Sequence, residues 1–338
     1  MCGGRTSPTA GTIFDKTRTP LTVWFMACWL FASQKDGISA LSLKRSLEIG
    51  SSQTAWAMLH RLRSVLVRPG RERLEGAVEV DEAFIGGEEP GLRGGRAKGK
   101  KVLVGVAVER LEPKRFGRCR MAPLLDASAD TLRGFLTDNV QEGARVITDG
   151  WQSYPSAAAG LYTHERVVGS ASAETAKLLP GVHTVISLTK RWLLGTHQGR
   201  IDAAHLASYL NEFVFRFNRQ RSRSRGLVFY RVLELATAHD PVRYRDLIAS
   251  PRPQTRPPHP PPATRGHPAS LERPPANRPW RQAHSGYMDI QEAAYPLRRV
   301  ASAQSSRRLV AKAEAIMTQP KRRLGSRAAI GVRRPGHA

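Results

Sequence analysis

Two aspartates in this chain sit where an acid is costly. Asp81 lies inside the apolar run VEVDEAFIG, and Asp149 ends the apolar run RVITDGW. An ionised carboxylate in such a strand must be paired, hydrogen-bonded or bound to a cation. Acids at the ends of neighbouring strands can face one point, and their hard oxygens suit divalent cations. A pair of this kind can activate a water or a 3′-OH and stabilise a leaving oxygen. The bland reading stands beside it: Asp149-Gly150 is a common turn, and Asp81 is then a rim residue. A third ligand belongs downstream. His183 begins a helix-like run that carries Lys190 seven residues on, about two turns away and on the same face. A lone histidine is as readily structural, and Glu174 is the alternative acid.

The elements that must position these residues follow from periodicity. Segments 77–86, 101–110, 117–128 and 144–151 read as strands. Segments 129–140, capped by Ser128, 183–194 and 203–220 read as helices. Three strands, a helix, a strand and then helices predict an α/β fold with a mixed sheet and a three-stranded meander. Tyr209, Phe213 and Phe217 recur every four residues as a core stripe, while Trp151 and Tyr154 either stack on a ligand or pack over the strand end. Upstream, residues 20–66 read as three helices, starting at Pro20, at 39–47 and at 52–66 with Ser51 or Ser52 as cap. This is helix-turn-helix-like, and any small helical bundle shares the pattern. Its last helix would present Gln53, Thr54, His60, Arg61 and Arg63 to a major groove.

The charge balance narrows the partners. The 338 residues hold 53 Lys+Arg against 28 Asp+Glu, a net charge of +25. That excess argues against an ordinary metabolic enzyme and for a polyanion, nucleic acid above all. Basic runs at Arg93, Arg96, Lys98, Lys100 and Lys101, and from Arg216 through Arg219 to Arg225, suit phosphates, as does Arg191 beside Lys190. Three cysteines (Cys2, Cys28 and Cys119) form no disulfide framework, and no apolar run is long enough to span a membrane. Residues 250–338, dense in arginine and proline, read as a disordered tail with a weak helix at 299–317.

Eight blocks then occur in one order: TAGTIFDKTRTPLTVWF (9–25), SSQTAWAMLHRLR (51–63), VEVDEAFIGG (78–87), AKGKKVLVGVAVER (97–110), DASADTL (126–132), VITDGWQSY (146–154), HTVISLTKRWLLGTHQG (183–199) and LNEFVFRFNRQRSRSRGLVFYRVLELA (210–236). Together they resemble the insertion-sequence transposases of the ISXO-two-like group, in the DDE superfamily with an RNase H-like fold. The resemblance implies an RNase H-like mixed sheet flanked by helices at 75–249, preceded by a helix-turn-helix-like domain at 20–70. It places catalytic roles on Asp81, Asp149, His183 and Lys190, with Asp81, Asp149 and His183 as ligands of Mg2+ or Mn2+. It implies DNA as partner (terminal inverted repeats and target DNA), a homodimer or higher assembly on DNA, and the bacterial cytoplasm at the nucleoid. Family members begin with a zinc ribbon of paired CxxC knuckles. Here only Cys2 stands there, so residues 1–19 read as the remnant of that region in a shortened copy, and zinc is not expected. The competing readings are a catalytically inactive DNA-binding remnant acting as a repressor, and another RNase H-like nuclease.

Overall fold

The computed structural model describes residues 7–86, 101–111, 115–168, 178–199 and 201–248. The expected weak helix, the tail, Cys2, Glu174 and the basic residues Arg93, Arg96, Lys98 and Lys100 lie outside them.

Five strands form one sheet: β1 (Ala77–Ile85), β2 (Val102–Leu111), β3 (Arg115–Pro123), β4 (Arg145–Thr148) and β5 (Thr163–Arg166). Their order is β3-β2-β1-β4-β5. β1–β2 and β2–β3 pair antiparallel, and β1–β4 and β4–β5 pair parallel. A meander of three strands extended by two parallel ones is the RNase H-like arrangement. β3 stops at Pro123 and not at 128, because proline cannot donate to a ladder. β5 falls in a stretch that reads as irregular; it is four residues long, polar and at the sheet edge.

Both faces of the sheet are covered. α4 (Ala129–Asn139) and α5 (Tyr154–Ala158) close one face over Val78, Val80, Ala107 and Val146. α6 (Pro180–His197) and α7 (Leu206–Phe217) close the other over Val104, Val106, Val108 and Ile147. Tyr209, Phe213 and Phe217 are core residues of this second layer, as their spacing predicts. β2 is thus buried on both faces, which explains why its apolar residues run together instead of alternating.

A third core joins distant parts of the sequence. α1 (Leu21–Ser33), α2 (Ala40–Ser46) and α3 (Ser52–Ser64) match the expected three helices, and Ser39 and Ser51 cap the last two. Phe14, Trp24, Phe31, Leu59 and Leu62 from this region pack with Val228, Phe229, Val232 and Leu233 of α8 (Arg225–Ala238). A short α9 (Tyr244–Ile248) lies against α3. The helical segment therefore completes its core with α8, a helix that the basic run around it concealed.

Candidate active site

The strand register brings Asp81 and Asp149 together. Val80 on β1 pairs with Thr148 on β4, and each aspartate is the next residue along its parallel strand. Side chains alternate across a strand. Val80 and Val146 face α4, whereas Ile147 and Ile85 face α6, so Asp81 and Asp149 share the α6 face. Both are half-buried. Asp81 Oδ1 accepts from the Glu82 N–H at 2.8 Å, and Asp149 Oδ1 accepts from the Trp151 N–H at 3.0 Å. Each carboxylate is thereby oriented by its own turn of chain.

His183 lies in the first turn of α6, over this face. Its Nε2 is buried and has no hydrogen-bond partner among the described residues. Burial lowers its pKa, and the negative charge of Asp149 opposes that shift, which places the two groups within electrostatic reach. The imidazole is kept neutral and able to donate a lone pair. Lys190 is exposed two turns further along α6. It lines a cleft of about 540 Å³ with Lys101, Phe84 and Gln198, beyond the end of β1.

Two supporting groups carry no sequence signal that singles them out. Glu79, two residues before Asp81 and on the same face, is fully buried. Its Oε2 accepts from the backbone N–H groups of Gly181 at 2.6 Å and Val182 at 3.1 Å. The free donors at a helix N-terminus need such partners, so Glu79 fixes the start of α6 and with it His183. Burial raises the Glu79 pKa, and the two N–H groups and Arg110 restrain the rise. On the other face, the buried Tyr154 donates its hydroxyl to Glu82 Oε2 at 2.6 Å, which ties the chain after Asp149 to β1. Burial first, then Glu82, pushes that hydroxyl well above its usual range. Tyr154 is a packing residue, and Trp151, whose Nε1 donates to the Ala127 carbonyl, packs beside it.

The residues present fit a divalent cation as donors: two adjacent carboxylates and a buried, unpartnered imidazole nitrogen. They do not stand as a finished cage. Among the described residues no group of three or more His, Cys, Asp or Glu side chains is placed to hold a metal ion. Each acid gives one oxygen to a backbone N–H, and His183 stands in the first turn of the helix over the same face.

The expected DNA-facing residues divide. Thr54 is half-buried, and Arg191 is exposed on α6. Gln53 donates to the Tyr244 hydroxyl at 2.6 Å, and Arg61 donates to the Val242 carbonyl at 2.8 Å, so α9 and the chain before it occupy this side of α3. Arg63 is corrected outright. It is 1% exposed and donates to Glu212 Oε2 at 2.8 Å, its guanidinium stacked over Tyr209. His60 is buried beside it. Arg219 is also largely withdrawn from the surface, stacked at 3.9 Å over Phe215.

No curated protein matches the chain. Among solved structures, "Crystal structure of the Mos1 Strand Transfer Complex" aligns over 66% of this chain and 78% of that one at 12% identity. Its TM-score is 0.19, a likeness too slight to bear on fold or function. The model of the ISXO2-like transposase domain matches residues 73–218. That stretch runs from the approach to β1 to the end of α7 and includes both strand aspartates and His183, so it is this part of the chain that is similar to the family.

Proposed function

We propose that this chain is a transposase, which cuts DNA at the ends of its element and joins the freed 3′-OH to target DNA, with Asp81 and Asp149 at the reacting phosphate. The observation that carries the reading is the placement of these acids side by side on β1 and β4, on the face closed by the start of α6. Mg2+ or Mn2+ held by this pair would activate the attacking oxygen and offset charge on the leaving one. Asp81 and Asp149 contribute hard oxygens held in place by backbone N–H groups. His183 contributes a neutral nitrogen, and Glu79 keeps the helix that bears it against the strands. Lys190 and Lys101, in the cleft beyond Ile85, neutralise phosphates next to the scissile bond. Two element ends must meet for joining, so the DNA-bound form is a homodimer or larger.

The test uses a labelled duplex carrying the element's own terminal repeat. The unaltered chain nicks it in Mg2+ or Mn2+. Asp81→Ala and Asp149→Ala abolish nicking and leave affinity for the duplex unchanged. Full nicking by both variants overturns the assignment. Duplex binding without nicking by the unaltered chain identifies a DNA-binding protein without chemistry.

A further inference from the structure

Away from the two aspartates, the open edge of β3 carries a second concentration of charge. A cavity of about 410 Å³ opens between β3, α7, α8 and the chain before β1. Arg68, Arg71, Arg118, Arg120, Arg219 and Arg231 line it. Four acids answer them in part. Glu72 pairs with Arg68, and Glu234 pairs with Arg231 at 2.8 Å. Glu75 and Glu109 hold Arg118 at 3.5 and 2.5 Å. The side chains of Glu72, Glu75 and Glu234 are 68%, 80% and 61% exposed, and such surface pairs are weak and exchange readily.

The other three arginines have no carboxylate within ion-pair distance among the described residues. Arg71 donates to the Asn139 side-chain oxygen at 3.0 Å. Arg219 donates to the Phe215 carbonyl at 3.3 Å. Arg120 is 5% exposed and donates to the Cys119 and Glu72 carbonyls, yet its Nε has no partner. Burial, with Arg71 and Arg118 adding repulsion, lowers Arg120 to about 10. Burial, with Arg231, Arg120 and Arg68, brings Arg219 to about 10 as well. A buried donor left unsatisfied among like charges is costly unless an anion meets it. Planar guanidinium forks match the oxygens of a phosphate.

The structure assigns this pocket as a second phosphate site, which holds a backbone phosphate of the DNA at a distance from Asp81 and Asp149. The identity of the polyanion rests on the function proposed above. The net charge of +25 and the place of the pocket at an open sheet edge favour a polyanion over a free phosphate. Arg120 pairs with Ala107 and Ala107 with Val80, so its side chain leaves the sheet on the α4 face, opposite the two aspartates, and the pocket meets a different stretch of the DNA backbone from the one they face.

The experiment follows a fluorescent terminal-repeat duplex by anisotropy over a KCl series without divalent cation, using the full chain. Arg71→Gln combined with Arg231→Gln lowers the slope of log affinity against log salt by about 1, since the one lost phosphate contact removes about 0.9. Glu72→Gln combined with Glu234→Gln removes only exposed rim acids and raises affinity several-fold. Melting curves report folding. If the arginine variant does not fold, the glutamate variant alone decides, and unchanged affinity in it overturns the site. An unchanged slope in the folded arginine variant overturns it too. Inorganic phosphate is the control probe. If it stabilises the unaltered chain but not the arginine variant while the duplex slope stays the same, the pocket takes a small anion and the DNA assignment falls. Loss of duplex binding by the unaltered chain overturns both site and function. Failure of metal-dependent nicking with the slope change intact overturns only the function.

Discussion

At Glu79 a carboxylate is buried at the head of a helix, and its two backbone partners are what make the burial tolerable. The raised pKa shows that burial opposes the ionised form there. A neutral acceptor therefore suits the position, and Glu79→Gln is expected to keep stability close to that of the parent. Glu79→Ala leaves the N–H groups of Gly181 and Val182 unmet, which costs about 1–3 kcal/mol. Urea midpoints of the two variants check this, and an alanine variant as stable as the glutamine one contradicts it. The contrast also marks what the sequence discloses at this scale. Asp81 and Asp149 are conspicuous because their neighbours are apolar. Glu79 has the same neighbours, but its meaning lies in a helix 102 positions downstream, and no local pattern records that. Arg63 misleads for the same reason. A basic residue near a helix end reads as surface, and only the fold reveals Glu212 behind it.

The start of α6 shows how an element can be fixed from outside itself. Sequence periodicity begins it at 183, whereas the helix begins at Pro180, with proline in its first turn and Glu79 in place of a local cap. Helices capped by their own serines, at Ser39, Ser51 and Ser128, begin where the sequence indicates. Gly181 is part of the same device. A Cβ there would lie 2.7 Å from Glu79 Oε2 and 3.0 Å from the Phe116 ring. Gly181→Ala is expected to lift the helix start, cost about 1–3 kcal/mol by overpacking, and lower nicking along with stability. Thermal melting and the duplex assay read both effects, and a variant unchanged in each refutes the account. α8 escaped the sequence reading although its buried residues at 228, 229, 232, 233 and 236 carry helical spacing, because the arginine-rich run before it drew attention to charge. β5 is too short and polar to announce itself.

Across the molecule, the region joining the first helices to the sheet domain is rich in buried polar groups. Glu212, fully buried, receives both Arg63 of α3 and Arg216 at 2.8 and 2.9 Å. Nearby, His60 is ringed by Trp56, Tyr209, His205 and Arg63. Burial, then the charges of Arg63, His205 and His197, lowers its pKa to about 2, and burial first lowers that of His197 to about 4. Folded-state values below the ordinary 6.5 mean that the unfolded chain binds the protons first. Stability is therefore full above about pH 6.5 and declines as pH falls below it, by up to about 1.4 kcal/mol per unit for His60. Denaturant midpoints between pH 7.5 and 5.5 should drop, and His60→Leu should flatten the drop; an equal slope in the variant rules His60 out as its source. The shared core has a mechanical consequence as well. α1 packs on α8, Ile13 bonds to the Ala236 carbonyl, and the Arg63–Glu212 pair bridges α3 to α7. A protease that severs the exposed turn at Pro69–Gly70 would leave two fragments clasped together, since the contacts that join the helices to the sheet lie elsewhere.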